Sequence, residues 1–187
     1  MENKNFGAGL ELKFLAETGE FEGYASVFNI VDGVGDRVAP GAFAKSLAAC
    51  AREGRLPPLL WQHEEDKPIG AWREMREDSR GLFVRGALFL RDIPRAAEAH
   101  KLLKEKALSG LSIGYRAVKS RTEPATGVRV LTEVELMEVS LVTFPANAAA
   151  RVTGVKNLSP PDVGGFIREV KRETARLELI NALNDLM

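Results

Sequence analysis

The chain has 187 residues and carries 26 Lys plus Arg against 26 Asp plus Glu, a formal net charge of zero at pH 7. That length suits one compact domain with a tail, and the balanced charge gives no pull toward nucleic acid, an anionic membrane or a strongly acidic substrate. The lone cysteine, Cys50, excludes an intramolecular disulfide and a cysteine-cluster metal site, and points to a reducing compartment.

The N-terminal stretch MENKNFGAGLELKF lacks the basic flank and apolar run of a signal peptide. No segment approaches the roughly 20 apolar residues that span a bilayer, so a soluble intracellular protein is expected, with neither membrane nor nucleic acid as partner. Alternating and β-branched runs predict strands over residues 9 to 16 and 20 to 29. The Ala-rich PGAFAKSLAACARE, opened by the breaker pair Pro40 and Gly41, predicts a helix.

Residues 57 to 63 predict a strand that ends at His63, where an apolar run meets the acidic turn HEED. An imidazole at such a boundary is half desolvated and reachable, as a general base must be; a structural turn residue is the alternative. His63, Glu64, Glu65 and Asp66 are all ligand types, but consecutive residues rarely converge on one ion, so no metal and no cofactor is expected. Strands over 68 to 77 and 81 to 90 lead to a second helix, DIPRAAEAHKLLKEKAL, with Asp92 as its N-cap and Pro94 in its first turn. His100 reads there as an exposed helical side chain.

The strand over 109 to 119 contains GLSIGYRAV. Alternation sets Leu111, Ile113, Tyr115 and Ala117 on one face and Ser112, Gly114, Arg116 and Val118 on the other. Gly114 weakens a strand interior and is most useful where a backbone or ligand comes close, which makes it a candidate floor for a bound peptide. Ser112 alone could be an ordinary polar residue, and Ser109 fits a helix-to-strand turn. Two further strands are expected over 128 to 135 and 136 to 144. In the second, Met137, Val139 and Leu141 face the core, while Glu138 and Ser140 fall on the opposite face. A carboxylate among apolar neighbours requires a donor such as an imidazolium or an arginine, and Glu138 could orient His63 or simply be an edge-strand charge. Glu133 and Glu135 are weaker candidates, readable as ordinary hairpin charges.

Strands grouped around helices without strict alternation predict an α+β domain, as a small barrel or sandwich. It spans residues 1–155. A Pro/Gly-rich linker follows at 156–165, and then an amphipathic helix over 166–187 with an apolar stripe from Phe166 to Leu186.

Four blocks, FEGYASVFNIVDGVGDRVAPGAFAKSL, LLWQHEEDKPIGAWREMREDSRGLFVRGAL, GLSIGYRA and LTEVELMEVSLVTFPANAAARV, occur in an order and spacing that resemble the prohead (procapsid maturation) serine proteases of tailed bacteriophages. The resemblance covers roughly residues 10 to 153. It implies a fold like that of the herpesvirus assemblins, a mostly antiparallel β-barrel surrounded by helices, and a homodimer by the same analogy. It implies a serine endopeptidase with Ser112, His63 and Glu138 as its catalytic groups. Gly114, Ser140, Asn147 and Arg151 are then expected on the substrate side, with the FPANAAAR turn as a source of oxyanion donors. The implied partner is the major capsid protein with its N-terminal scaffold segment, met inside the immature capsid in the bacterial cytoplasm. A non-catalytic assembly factor that keeps the fold is the alternative.

Overall fold

The computed structural model describes residues 18–155. The strand expected over 9 to 16, the linker at 156–165 and the helix at 166–187 lie outside the described residues. The elements run β1 (Glu20–Val27), β2 (Asp36–Val38), α1 (Ala44–Glu53), β3 (Leu59–Trp61), β4 (Glu64–Glu77), β5 (Gly81–Leu88), α2 (Pro94–Lys104), β6 (Gly110–Thr122), β7 (Arg129–Val142) and β8 (Val152–Val155). This is the expected α+β class.

All eight strands share one sheet, in the order β2-β7-β3-β4-β5-β1-β8 with β6 also paired to β7. β7 organises it. Along one edge it takes β2 and β3 in parallel, at Arg129 to Leu131 and at Val139 to Leu141, and along the other it takes antiparallel β6 over almost its whole length. The two strands expected over 128 to 135 and 136 to 144 are therefore one. No Gly, Pro or Asn interrupts residues 129 to 142, and partners on both edges keep the backbone extended.

The expected barrel is not formed by these pairings. β8 is four residues long and pairs with β1, so it meets β6 only at a Gly110–Arg151 bridge. Two hydrogen bonds flank that bridge, Leu111 N–H to the Ala150 carbonyl at 3.1 Å and Val152 N–H to the Ser109 carbonyl at 2.8 Å. Nor do helices surround the sheet, since the described residues hold only two: α1 against β4 and β7, and α2 against β4 and β5.

The core is one hydrophobic cluster in which Phe21, Phe43, Leu59, Ile69, Leu82, Leu111, Leu131 and Leu141 are fully buried. Each such side chain contributes about 1.5–3 kcal/mol on leaving water. α2 buries Ala96, Ala99, His100 and Leu103, a three- and four-residue spacing that puts His100 on the apolar stripe rather than in solvent as expected. Its N-cap is Ile93, without a side-chain cap, and not Asp92; Pro94 takes the first helical position, where a missing N–H costs nothing. β4 begins at Glu64, so the acidic residues expected to form a turn already lie on a strand.

One slip in the β6–β7 register decides which side chains reach the site. Gly114 pairs with Glu138 and Tyr115 with Leu136, which leaves Met137 as an extra residue on β7. A bulge of this kind re-aims the side chains beyond it. Before it, Val134 and Leu136 enter the core; after it, Val139 and Leu141 do, so Glu138 and Ser140 turn to the opposite face. Met137, expected in the core, is 52% exposed because it is the bulged residue.

The sheet ends converge on Gly23. A Cβ there would lie 2.3 Å from the Arg151 carbonyl oxygen, 2.8 Å from Val152 Cα and 2.9 Å from Leu111 Cδ1, so three strands approach because this residue has no side chain. Gly23→Ala must push β1, β6 and β8 apart. It should lower stability by about 1–3 kcal/mol, read as a lower midpoint in urea unfolding, whereas a surface control such as Val118→Thr leaves the midpoint in place.

Candidate active site

β3 and β4 form a hairpin whose turn is only Gln62 and His63, with Trp61 paired to Glu64 across it. Both turn residues are left-handed, at φ 52° and 63°. A two-residue hairpin asks for positive φ at both positions, which Asn-Gly adopts easily and Gln-His at a cost of about 1–3 kcal/mol per residue. β7 holds the strained turn in place. Gln62 N–H donates to the Leu141 carbonyl at 2.9 Å, Gln62 Nε2 to Thr143 Oγ1 at 2.8 Å, and Thr143 N–H back to Gln62 Oε1 at 3.2 Å. His63 N–H donates to Ser140 Oγ at 3.2 Å.

Held this way, His63 Nδ1 lies 2.6 Å from Glu138 Oε1, and the other carboxylate oxygen accepts from Ser140 Oγ at 2.6 Å. Glu138 fits there because its cross-strand partner is Gly114: a Cβ on that residue would fall 2.3 Å from Oε1 and 2.8 Å from Cγ. The space beside Gly114, expected to lie open to a peptide, is filled by the carboxylate. Ser140, also expected to meet a peptide, is fully buried, and its hydroxyl is used within the site. The hydrogen bond that the imidazole donates to the Glu138 carboxylate raises the His63 pKa above the ordinary imidazole value, against the opposing effect of burial.

Ser112 pairs with Ser140 across β6 and β7, one alternate step from Gly114, and is 8% exposed. Ser112 and His63 line one cavity of about 230 Å³. Ser109, by contrast, uses its carbonyl to join β8. Asn147 lines the same cavity, but its side-chain amide is committed: Nδ2 donates to the Val27 carbonyl at 2.8 Å and Oδ1 accepts from Ala149 N–H at 3.2 Å. Arg151 sits at the β6–β8 bridge, where its carbonyl accepts from Tyr24 N–H at 3.0 Å. Among the described residues no group of three or more His, Cys, Asp or Glu could hold a metal ion.

The same cavity is lined by residues that sequence reasoning missed. Asp36, buried, accepts from Arg129 Nε at 2.7 Å and from the Tyr115 hydroxyl at 2.8 Å, and Asp36 and Tyr115 both line the cavity. The Arg129 guanidinium holds the Asp36 carboxyl below the usual carboxylate range. Burial, with Asp36 beside it, pushes Tyr115 up to about 12, so its hydroxyl remains a donor. Parallel pairing of β2 with β7 creates this cluster, a contact no local pattern announces. Ser26 also lines the cavity, with a buried hydroxyl that has no partner among the described residues.

Ser112 and His63 share a cavity and Glu138 Oε1 lies against the imidazole Nδ1; serine, histidine and carboxylate are the residue types that serine hydrolases combine. Residues 10–160 match the family profile of the caudovirus prohead serine proteases, and the chain belongs to that family. It is 34% identical over 152 residues to the prohead protease of Enterobacteria phage HK97, an alignment that covers 79% of this chain and 66% of that one, just under two thirds of its length. It is 33% identical over 136 residues to the capsid polyprotein of Pseudomonas phage PAJU2, covering 69% of this chain and 20% of that protein. Among solved structures, the capsid assembly protease of bacteriophage T4 superposes with a TM-score of 0.52 at 10% identity, covering 66% of this chain and 82% of that one, which shows the fold.

The coupling between His63 and Glu138 can be measured without turnover. With its pKa raised in the folded state, His63 contributes stability that is fully present below about pH 6.5 and is lost as the pH rises through the folded value. In Glu138→Gln the raising influence is gone and burial remains, so the His63 resonance, followed by NMR, should titrate at or below about 6.5. An unchanged titration would show that Glu138 does not govern the imidazole.

Proposed function

We propose that the chain is a serine endopeptidase that cuts capsid protein, and itself, during procapsid maturation of a tailed phage or phage-like particle. One observation carries the reading: Ser112 and His63 line the same cavity while Glu138 sits 2.6 Å behind the imidazole. Membership of the prohead serine protease family supports the peptidase class. The likeness to a capsid polyprotein supports capsid protein as the substrate, which is met inside the immature capsid in the host.

In this mechanism Ser112 Oγ attacks the scissile carbonyl carbon while His63 Nε2 takes its proton. Glu138 fixes the tautomer with Nδ1–H and stabilises the imidazolium as it forms. Collapse of the tetrahedral intermediate breaks the C–N bond, and the imidazolium returns the proton to the leaving amine. Water, deprotonated in turn by His63, then releases the acyl group from Ser112. The oxyanion needs preorganised donors. Ala146 and Asn147 line the cavity, and their backbone N–H groups are the proposed source, while the committed side chain of Asn147 shapes the turn. The edge of β6 beside Ser112 would take an extended substrate as an added strand. Because the neutral imidazole is the active form, cleavage should rise with pH through the raised His63 pKa.

Co-expression with the cognate major capsid protein tests the proposal. Mass spectrometry should find a shortened capsid chain with the wild type and an intact one with Ser112→Ala. Processing by Ser112→Ala, or intact capsid chains with the wild type and no labelling of Ser112 by a serine-directed phosphonate, would refute it; the second outcome would favour an assembly factor that keeps the fold.

A further inference from the structure

We infer that Ser140 is a positioning residue whose hydroxyl locks the acid and the strained histidine turn into one unit; the inference rests on the protease reading just given. Ser140 Oγ donates to Glu138 Oε2 at 2.6 Å and accepts from His63 N–H at 3.2 Å, so one oxygen joins the carboxylate and the backbone of the residue that the carboxylate must orient. A hydroxyl can do both at once, with one proton to give and lone pairs to receive. The residue is fully buried, which closes it to substrate and removes water as a substitute partner.

The three contacts close a ring: His63 backbone to Ser140, Ser140 to Glu138, and Glu138 to the His63 imidazole. In such a ring the carboxylate cannot rotate away from Nδ1 without losing Ser140, and the turn cannot relax from its left-handed conformation without losing the same hydroxyl. Gly114 closes the arrangement from the other side, since the carboxylate occupies the space where its Cβ would be. Position in the sheet accounts for the geometry. Ser140 lies two residues after Glu138 on the same face of β7, beyond the bulge, and pairs with Leu60 of β3, two residues before the turn. Without the hydroxyl, Glu138 Oε2 loses its donor and His63 N–H its acceptor together, and the two left-handed residues lose a restraint.

The test uses the full chain, with Ser112→Ala as background for NMR so that self-cleavage does not interfere. The chain has two histidines, so the His63 resonance is assigned by its loss in His63→Gln. In Ser140→Ala, His63 should titrate lower than in the parent, back toward 6.5. On a peptide spanning the cleaved capsid junction, kcat should fall about tenfold to 10²-fold with KM unchanged. A purely electronic role for Ser140 would instead leave Glu138 a stronger acceptor and raise the His63 pKa. A titration at or above the parent value in folded Ser140→Ala overturns the proposal. If Ser140→Ala loses its far-UV circular dichroism, Ser140→Cys, which keeps the volume with a weaker donor, decides. A lower His63 pKa and a smaller kcat loss support the proposal, and no change in either overturns it. The titration needs no turnover, so it remains decisive if the protease reading itself fails.

Discussion

The site depends on one carboxylate placed where a side chain is missing. Glu138 lies across Gly114, within 2.6 Å of both the His63 imidazole and the Ser140 hydroxyl. A buried carboxylate is tolerated only with donors to both oxygens, and here both are supplied from within the site. The bulge at Met137 makes this possible. Had alternation continued unbroken from Val134 and Leu136, Glu138 and Ser140 would point into the apolar core, and Val139 and Leu141 away from it. A one-residue irregularity thus separates a strand that could only be structural from one that carries polar groups on one face and core on the other.

This explains what was legible in the sequence and what was not. Ser112, His63 and Glu138 were singled out by the family blocks, since each residue alone also had an ordinary reading; the structure sets His63 against Glu138 and places Ser112 on the same cavity as His63. The α+β class followed from strand and helix signals that are local. A bulge has no such signal, so Met137 was assigned to the core. The turn at Gln62–His63 was equally hidden, because its left-handed residues are not the Asn and Gly that usually mark such hairpins. Ser140 and Asp36 acquire their roles through β3 and β2 lying parallel to β7, and the open sheet follows from the shortness of β8. These are non-local facts.

The two carboxylates that reach the cavity's lining residues differ in how they manage charge. On one side Glu138 faces a titratable partner, so its environment changes with pH near neutrality. On the other, Asp36 faces Arg129, which stays protonated, and a tyrosine hydroxyl held near 12. The second cluster therefore keeps one charge state across the range in which the first switches. It fixes β2 and β6 against β7 whatever the charge on His63.

Placing these groups on β7 couples stability to chemistry. The strand supplies Val139 and Leu141 to the core, Glu138 and Ser140 to the site, and a carbonyl to the histidine turn. The turn is strained, and a strained conformation persists only where its surroundings over-determine it. Those surroundings are the last residues of β7 together with Thr143. Loosening the core around Val139 would thus release Gln62 and His63 before it unfolded the domain, since the turn has the least local reason to hold its shape. Loss of function without loss of fold is the expected signature of damage at this end of the strand, whereas damage at the Asp36 end leaves a buried carboxylate without its half-exposed arginine partner and acts first on stability.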